Sequence, residues 1–344
     1  MRLLAGRAAV LLCLAGVTAA AQVPIPGQGS TRRPPQIDTG MPVFEMHSGF
    51  WVNLHHVLYR QARQRAGRAQ GEPDPVRLEG ILLLSAEEEA AWNSAINFYQ
   101  REYAGRDLLF NSDMIILKNR LAEWEAEPTL QTSGLRPEVI RALDGAAAVY
   151  RARWWTEHDR RNRDWIAQVA PLVQQHGAEL ARQLANAYRQ PWPAERIRVE
   201  VSIEANWAGA YTTLRPLHVV LSSTDPRNQG PAGFEMLFHE ASHALAEGVS
   251  EAIARECRAR RKPIPRDLWH AILFYTTGEM VRRAMTTASA QGDGETSYTP
   301  YAYRHGLYAR GWQSYRSLIE RHWKPYLDGN LDFDRAIARI VAAI

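Results

Sequence analysis

The stretch FEMLFHEASHALAEG, residues 234–248, constrains the chain more than any other, because it sets His239 and His243 four residues apart. Phe238, Ala241, Ala244 and Leu245 around them are apolar or small, and Gly230-Pro231 breaks the chain just before. The pattern predicts a helix, on which positions i and i+4 share one face, so both imidazoles can point at one ion. Glu240 is rotated about 100° from His239 and falls outside that pair. Imidazole nitrogens are ordinary zinc ligands, and zinc lowers the pKa of water toward about 7. A carboxylate beside the ion can then take a proton from water and hand it to a leaving amine. The competing reading is an amphipathic helix with two hydrogen-bonded histidines.

Short strands precede this helix. Val199, Val201 and Ile203 alternate with Arg198, Glu200 and Ser202, the period-two pattern of a half-buried strand. AGAYTT and LHVVLSS give two more, separated by Arg215-Pro216, and the short connections predict an antiparallel sheet. The rest reads as helix. From Phe44 onward, Phe50, Leu54, Val57 and Leu58 recur at helical spacing, and Ser85 with Glu88 forms a capping box before Ala91, Ala95 and Phe98. Further helices are expected around 108–126, across 136–189, over DLWHAILFYTTGEMVRRAM, and after Pro300. The expected fold class is therefore mainly α with a small antiparallel sheet, with a helical portion at 41–194 and a catalytic portion at 195–344.

Arg2 and Arg7 precede an apolar run from Ala8 to Val17, followed by Ala19 and Ala21. That is the layout of a secretory signal peptide at 1–21, and the run is shorter than the roughly 20 residues a membrane span needs. Residues 22–40, rich in Pro, Gly and polar groups, read as a linker. Cleavage near Ala21 would remove Cys13 and leave Cys257 alone, so no internal disulfide is expected of a periplasmic or secreted protein with no membrane span. The composition, 46% hydrophobic and 23% charged, is that of a globular chain. A formal charge of +4, without a basic stripe, argues against nucleic acid as partner.

FHEASHAL resembles the metal-binding helix of the zincin superfamily of zinc metallopeptidases. The resemblance covers roughly the last 150 residues, and only the motif is specific. It implies a Zn2+ cofactor, a peptide or protein substrate, a small antiparallel sheet whose edge strand aligns the substrate, and a third ligand from a later helix. NWAGAYTT, residues 206–213, is the candidate edge strand. Residues 246–249 read Ala-Glu-Gly-Val, which rules out a third histidine at the metzincin spacing. Superfamily habit points to Glu279. The helical face points to His270, which shares its side with Leu273, Phe274, Thr277 and Val281, and His270 is preferred. Glu279 shares its side with Arg282 and Arg283, where an ion pair would explain it, and Glu247 and Glu251 remain as further choices. Nine residues apart, His270 and Glu279 cannot face the same ion.

In such enzymes a tyrosine or histidine from a C-terminal helix often serves the oxyanion. Tyr301, His305, Tyr308 and Trp312 share one face of the helix expected after Pro300, so Tyr301 and His305 are candidate donors, although such an aromatic stripe also suits a core. Gly292 and Gly294 could let this segment move. His47, Asn53, His55 and His56 cluster near the start of the first helix, where adjacent histidines diverge and do not chelate one ion. The preferred function is an exported zinc peptidase with Glu240 as general base. The alternatives are a catalytically silent binding module of the cell envelope, and zinc-dependent hydrolysis of another bond.

Overall fold

A computed structural model describes residues 43–344 apart from 71, 73, 75 and 290–297. The expected signal peptide, the linker at 22–40, and Gly292 and Gly294 lie outside the described residues. The first element is a strand, β1 (Phe44–His47), where helical spacing had been read; the helix α1 (Phe50–Arg65) starts only after Gly49. Four residues suffice for β1 because Phe44–His47 pair in register with 197–200. Then come α2 (Ala86–Glu102), α3 (Ser112–Glu123), α4 (Pro137–Tyr150) and α5 (Thr156–Tyr188), with a π-turn joining the last two. Ser85 and Glu88 close the capping box at the start of α2: the Ser85 hydroxyl accepts from the Glu88 amide, and the Glu88 carboxylate accepts from the Ser85 amide.

Next are β2 (Ile197–Ser202), β3 (Ala210–Leu214) and β4 (Leu217–Ser222), then α6 (Pro231–Ser242), α7 (Glu247–Ala259) and α8 (Leu268–Ser289). The short helices α9 (Tyr301–Arg304), α10 (Gln313–Leu318) and α11 (Lys324–Leu327) lead to α12 (Phe333–Ala343). The chain is mostly helical with one four-stranded mixed sheet in the order β1-β2-β4-β3, an α+β architecture.

The sheet departs from the antiparallel expectation. Only the β3–β4 hairpin is antiparallel, whereas β1–β2 and β2–β4 are parallel. Connection length explains both parallel pairs. All of α1–α5 intervenes between β1 and β2 and returns the chain to the same end of the sheet. The 203–209 connection carries the chain past the next position, so β4 folds back between β3 and β2.

One face of the sheet (Ile197, Val199, Val201, Ala210, Val219, Leu221) packs with α5, α6 and the C-terminal helices. The other face, with Tyr211 and Val220, joins the core built by α1–α4. Each core draws residues from both sides of position 195. The polar side of β2 is therefore covered, not solvated: Glu200 is fully buried, with Arg198 Nε at 2.7 Å and His218 Nε2 at 3.5 Å. Burial alone would push this carboxyl up, but His218 and Arg198 outweigh it and hold it down at about 2.

Candidate metal centre

Pro231 occupies the first turn of α6, where its missing N–H costs nothing. Every residue from Ala232 to Ser242 is buried, so the helix is held on all sides. Gly233 allows the close approach to α5, since a Cβ there would lie 2.5 Å from the Asn228 carbonyl oxygen and 3.0 Å from Trp165. The helix ends at Ser242 and tightens into a 3-10 turn at His243–Leu245, which leaves 23% of the His243 side chain exposed beside a buried His239.

His239, His243 and His270 come together, each offering a ligand atom within 4.8 Å of the others. His239 Nε2 and His270 Nε2 stand 3.2 Å apart. Ligands at about 2.0–2.1 Å in a tetrahedral site are about 3.4 Å apart, so this pair already has the spacing a zinc ion requires. Burial and the neighbouring imidazoles push His239 and His270 well below the usual histidine range, and burial lowers His243 to about 4. All three are neutral near pH 7, the state a metal ligand needs. Three neutral imidazoles around one point, with no protein carboxylate among them, fit a divalent metal ion.

The alternatives for the third position lie elsewhere. Glu279 accepts from Arg282 Nε and Nη2 and from Arg283 Nε, each at 2.8 Å, so its carboxylate is committed to two guanidiniums. Glu247 and Glu251 are exposed on α7. Cys257 is buried and free, and outside the cluster.

Glu240 is buried beside the trio, with its Oε2 4.0 Å from His243 Nε2. The Thr212 hydroxyl lies 2.7 Å from that oxygen and 2.9 Å from the Glu240 carbonyl. Burial raises the carboxyl to about 7, against the lowering effect of Thr212. Thr212 sits in the middle of β3, one of the two edge strands, within the 206–213 segment. Its part could have been read only from the β3 register, which turns Tyr211 and Thr213 to the opposite face.

The segment after Pro300 is not one helix. Gly306 (φ 62) and Gly311 (φ 158) divide it into α9, a 3-10 turn at Tyr308–Arg310 and α10. Tyr301 and His305 still adjoin, with ring centroids 4.4 Å apart, and Tyr301 stacks on Phe274 at 6.0 Å. Burial pushes the Tyr301 phenol up to about 12, and the charges of Arg227, Asp225, Glu240 and Glu235 act on it. Burial, followed by Arg304 and Arg227, lowers His305. Buried Glu235, one turn before His239, anchors this segment: its Oε2 accepts from the Tyr301 amide at 2.9 Å and the Tyr298 hydroxyl at 2.7 Å. The spacing of four to His239 was its only sequence signal.

Aromatic rings pack against the histidines. Phe274 stacks on His239 at 3.7 Å, Trp269 on His270 at 4.9 Å, and Trp312 stands 5.5 Å from His270. The N-terminal histidines are structural: His55 bonds the Tyr99 hydroxyl, His56 bridges the Val52 carbonyl and the Tyr211 hydroxyl, and His47 pairs with Glu125. Asn53 ties α1 to β2 through the Val201 carbonyl and the Ile203 amide.

Comparison with protein-family models, curated proteins and solved structures gives no match.

Proposed function

We propose that the chain is an exported zinc-dependent peptidase, held to its metal by His239, His243 and His270. The observation that carries the reading is the convergence of three neutral imidazoles with a buried carboxyl, Glu240, beside them and outside the ligand set. A zinc ion at these ligands would supply a Lewis acid that polarises a carbonyl and acidifies water. Glu240 takes the proton of the attacking water as the new C–O bond forms. It returns that proton to the amine nitrogen as the C–N bond breaks, and a carboxyl near 7 is matched to both transfers. Thr212 fixes the orientation of that carboxyl. The Tyr301 phenol stays protonated and has no hydrogen-bonding partner among the described residues, which leaves it free to donate to the oxyanion, with His305 packed against its ring.

Elemental analysis of the purified mature chain tests the first half. Near-stoichiometric zinc is expected, lost in His239→Ala and His270→Ala and kept in Glu279→Ala. Peptide cleavage tests the second: Glu240→Gln should keep its zinc and lose activity by about 10²-fold or more. A metal-replete wild type without zinc would remove the peptidase reading. Stoichiometric zinc without cleavage would favour a binding module built on the same site.

A further inference from the structure

Arg227 lies in the 3-10 turn Pro226–Asn228 that leads into α6. Asp225 fixes the plane of its guanidinium, accepting from Nε at 2.9 Å and from Nη2 at 2.6 Å, and Nη2 also lies 3.5 Å from the Trp207 carbonyl oxygen. Nη1 has no protein partner among the described residues, and 26% of the side chain is exposed. The charge of Arg227 acts on both Tyr301 and His305, and Tyr301 in turn feels Glu240. Arg227 and Tyr301 therefore lie close enough for their charges to interact.

The strand sets the spacing. Thr212, in contact with Glu240, is the middle residue of β3, and Gly209 just before the strand passes against Arg227. A Cβ at Gly209 would collide with the Asp225 carboxylate and stand 3.1 Å from Nη2 of the paired Arg227, and its φ of 82 is one that glycine adopts without strain. Thr212 and Gly209 are three residues apart, roughly 10 Å at about 3.3 Å per residue. No strand pairs with the outer side of β3 among the described residues, and with Ala210, Tyr211, Thr212 and Thr213 only 2–6% exposed, an extended peptide would add there as that edge opens. In an antiparallel addition the peptide's C-terminal direction runs toward Gly209 and Arg227.

We propose that Arg227 binds the C-terminal carboxylate of a short peptide, cleaved about two or three residues before that terminus. This inference rests on the peptidase reading. A guanidinium held in plane, with Nη1 uncovered, suits a carboxylate and gives a charge-assisted bond that a C-terminal amide cannot replace. The exposed Trp207 (45%) flanks the same end of the strand.

The test is a mixed-sequence pentapeptide library, each member prepared as free acid and as C-terminal amide, given to the zinc-loaded protein. The free acids should exceed the amides by about tenfold or more in kcat/KM, with products released from the C-terminal end. The ratio should collapse toward one in Arg227→Met and recover in part in Arg227→Lys, with zinc content confirming that the variants fold. Binding of the same pairs to Glu240→Gln, followed by calorimetry, reads the ratio without turnover. Equal kcat/KM or equal binding for acids and amides overturns the role of Arg227 while leaving the peptidase intact. Absence of zinc, or of cleavage and binding of either form, removes the peptidase reading and the carboxylate site with it.

Discussion

The smallest scale at which this protein can be argued is the contact between Thr212 and Glu240. The two residues are 28 positions apart and meet only because β3 lies along α6. Glu240 is pushed up by burial, and the Thr212 hydroxyl works in the opposite direction. Thr212→Val should therefore raise the carboxyl further and, on the proposed peptidase reading, move the acidic limb of the kcat/KM profile to higher pH. Thr212→Ser should leave the limb near its original place. A pH–rate profile of the two variants decides the point, and identical limbs would refute the role given to Thr212. The same scale separates His270 from Glu279. Both lie on α8, but one faces two imidazoles and the other two guanidiniums.

At the scale of elements, the site is a meeting of α6, α8, β3 and α9, kept close by small residues. Gly278 on α8 passes Pro300 and Glu235 so closely that a Cβ would stand 2.7 Å from the proline ring and 3.0 Å from the carboxylate. Gly233 does the same between α6 and the Asn228 carbonyl. The second contact is with backbone, which cannot step aside as a side chain can. Gly233→Ala should cost about 1–3 kcal/mol, seen as a lower denaturation midpoint, because α6 must move off its support. An unchanged midpoint would show that α6 has more room than its surroundings indicate. Glu235 acts at this scale too, since one carboxylate oxygen gathers Tyr298 and Tyr301 against the turn that precedes His239.

At the scale of the molecule, two cores share one sheet, and the groups buried between them set how stability responds to pH. Burial raises Glu235 to about 7 from an ordinary 4.5. Below 4.5 the carboxyl is protonated in both folded and unfolded chains, and its contribution to stability is fully present. Between 4.5 and 7 the unfolded chain ionises while the folded one holds its proton, so that contribution falls and is lost as pH passes through about 7. Glu235→Gln should flatten this loss, which urea denaturation of the metal-free protein at a series of pH values would measure. An unchanged pH dependence would mean that Glu235 ionises freely in the fold. Trp51 and Trp165, buried in different cores, test the shared architecture: replacing either by Ala should cost about 3–5 kcal/mol in a single unfolding transition. Two separate transitions would show that the cores unfold independently.

Local patterns in the chain determined the helix around His239 and His243, the capping box at Ser85, the strand positions of β2, β3 and β4, and the opposition of His270 to Glu279. Each depends on spacing within one element, where backbone periodicity places side chains without help from the rest of the fold. Only tertiary structure decided that β1 is a strand, because four residues gain strand pairing from a neighbour some 150 positions away. It also decided that two of three strand pairings are parallel, which depends on how crossovers return the chain. Arg198 and Glu200 look like a solvated strand face from their alternation alone, yet helices from the first half of the chain cover them. Thr212 and Arg227 had no pattern to reveal them, and Glu235 only its spacing of four to His239, because what brings each to the site is packing between elements. Spacing along one helix can bring two imidazoles to a point; the third imidazole, the contact of Thr212 with Glu240, and the placement of Arg227 come from the fold.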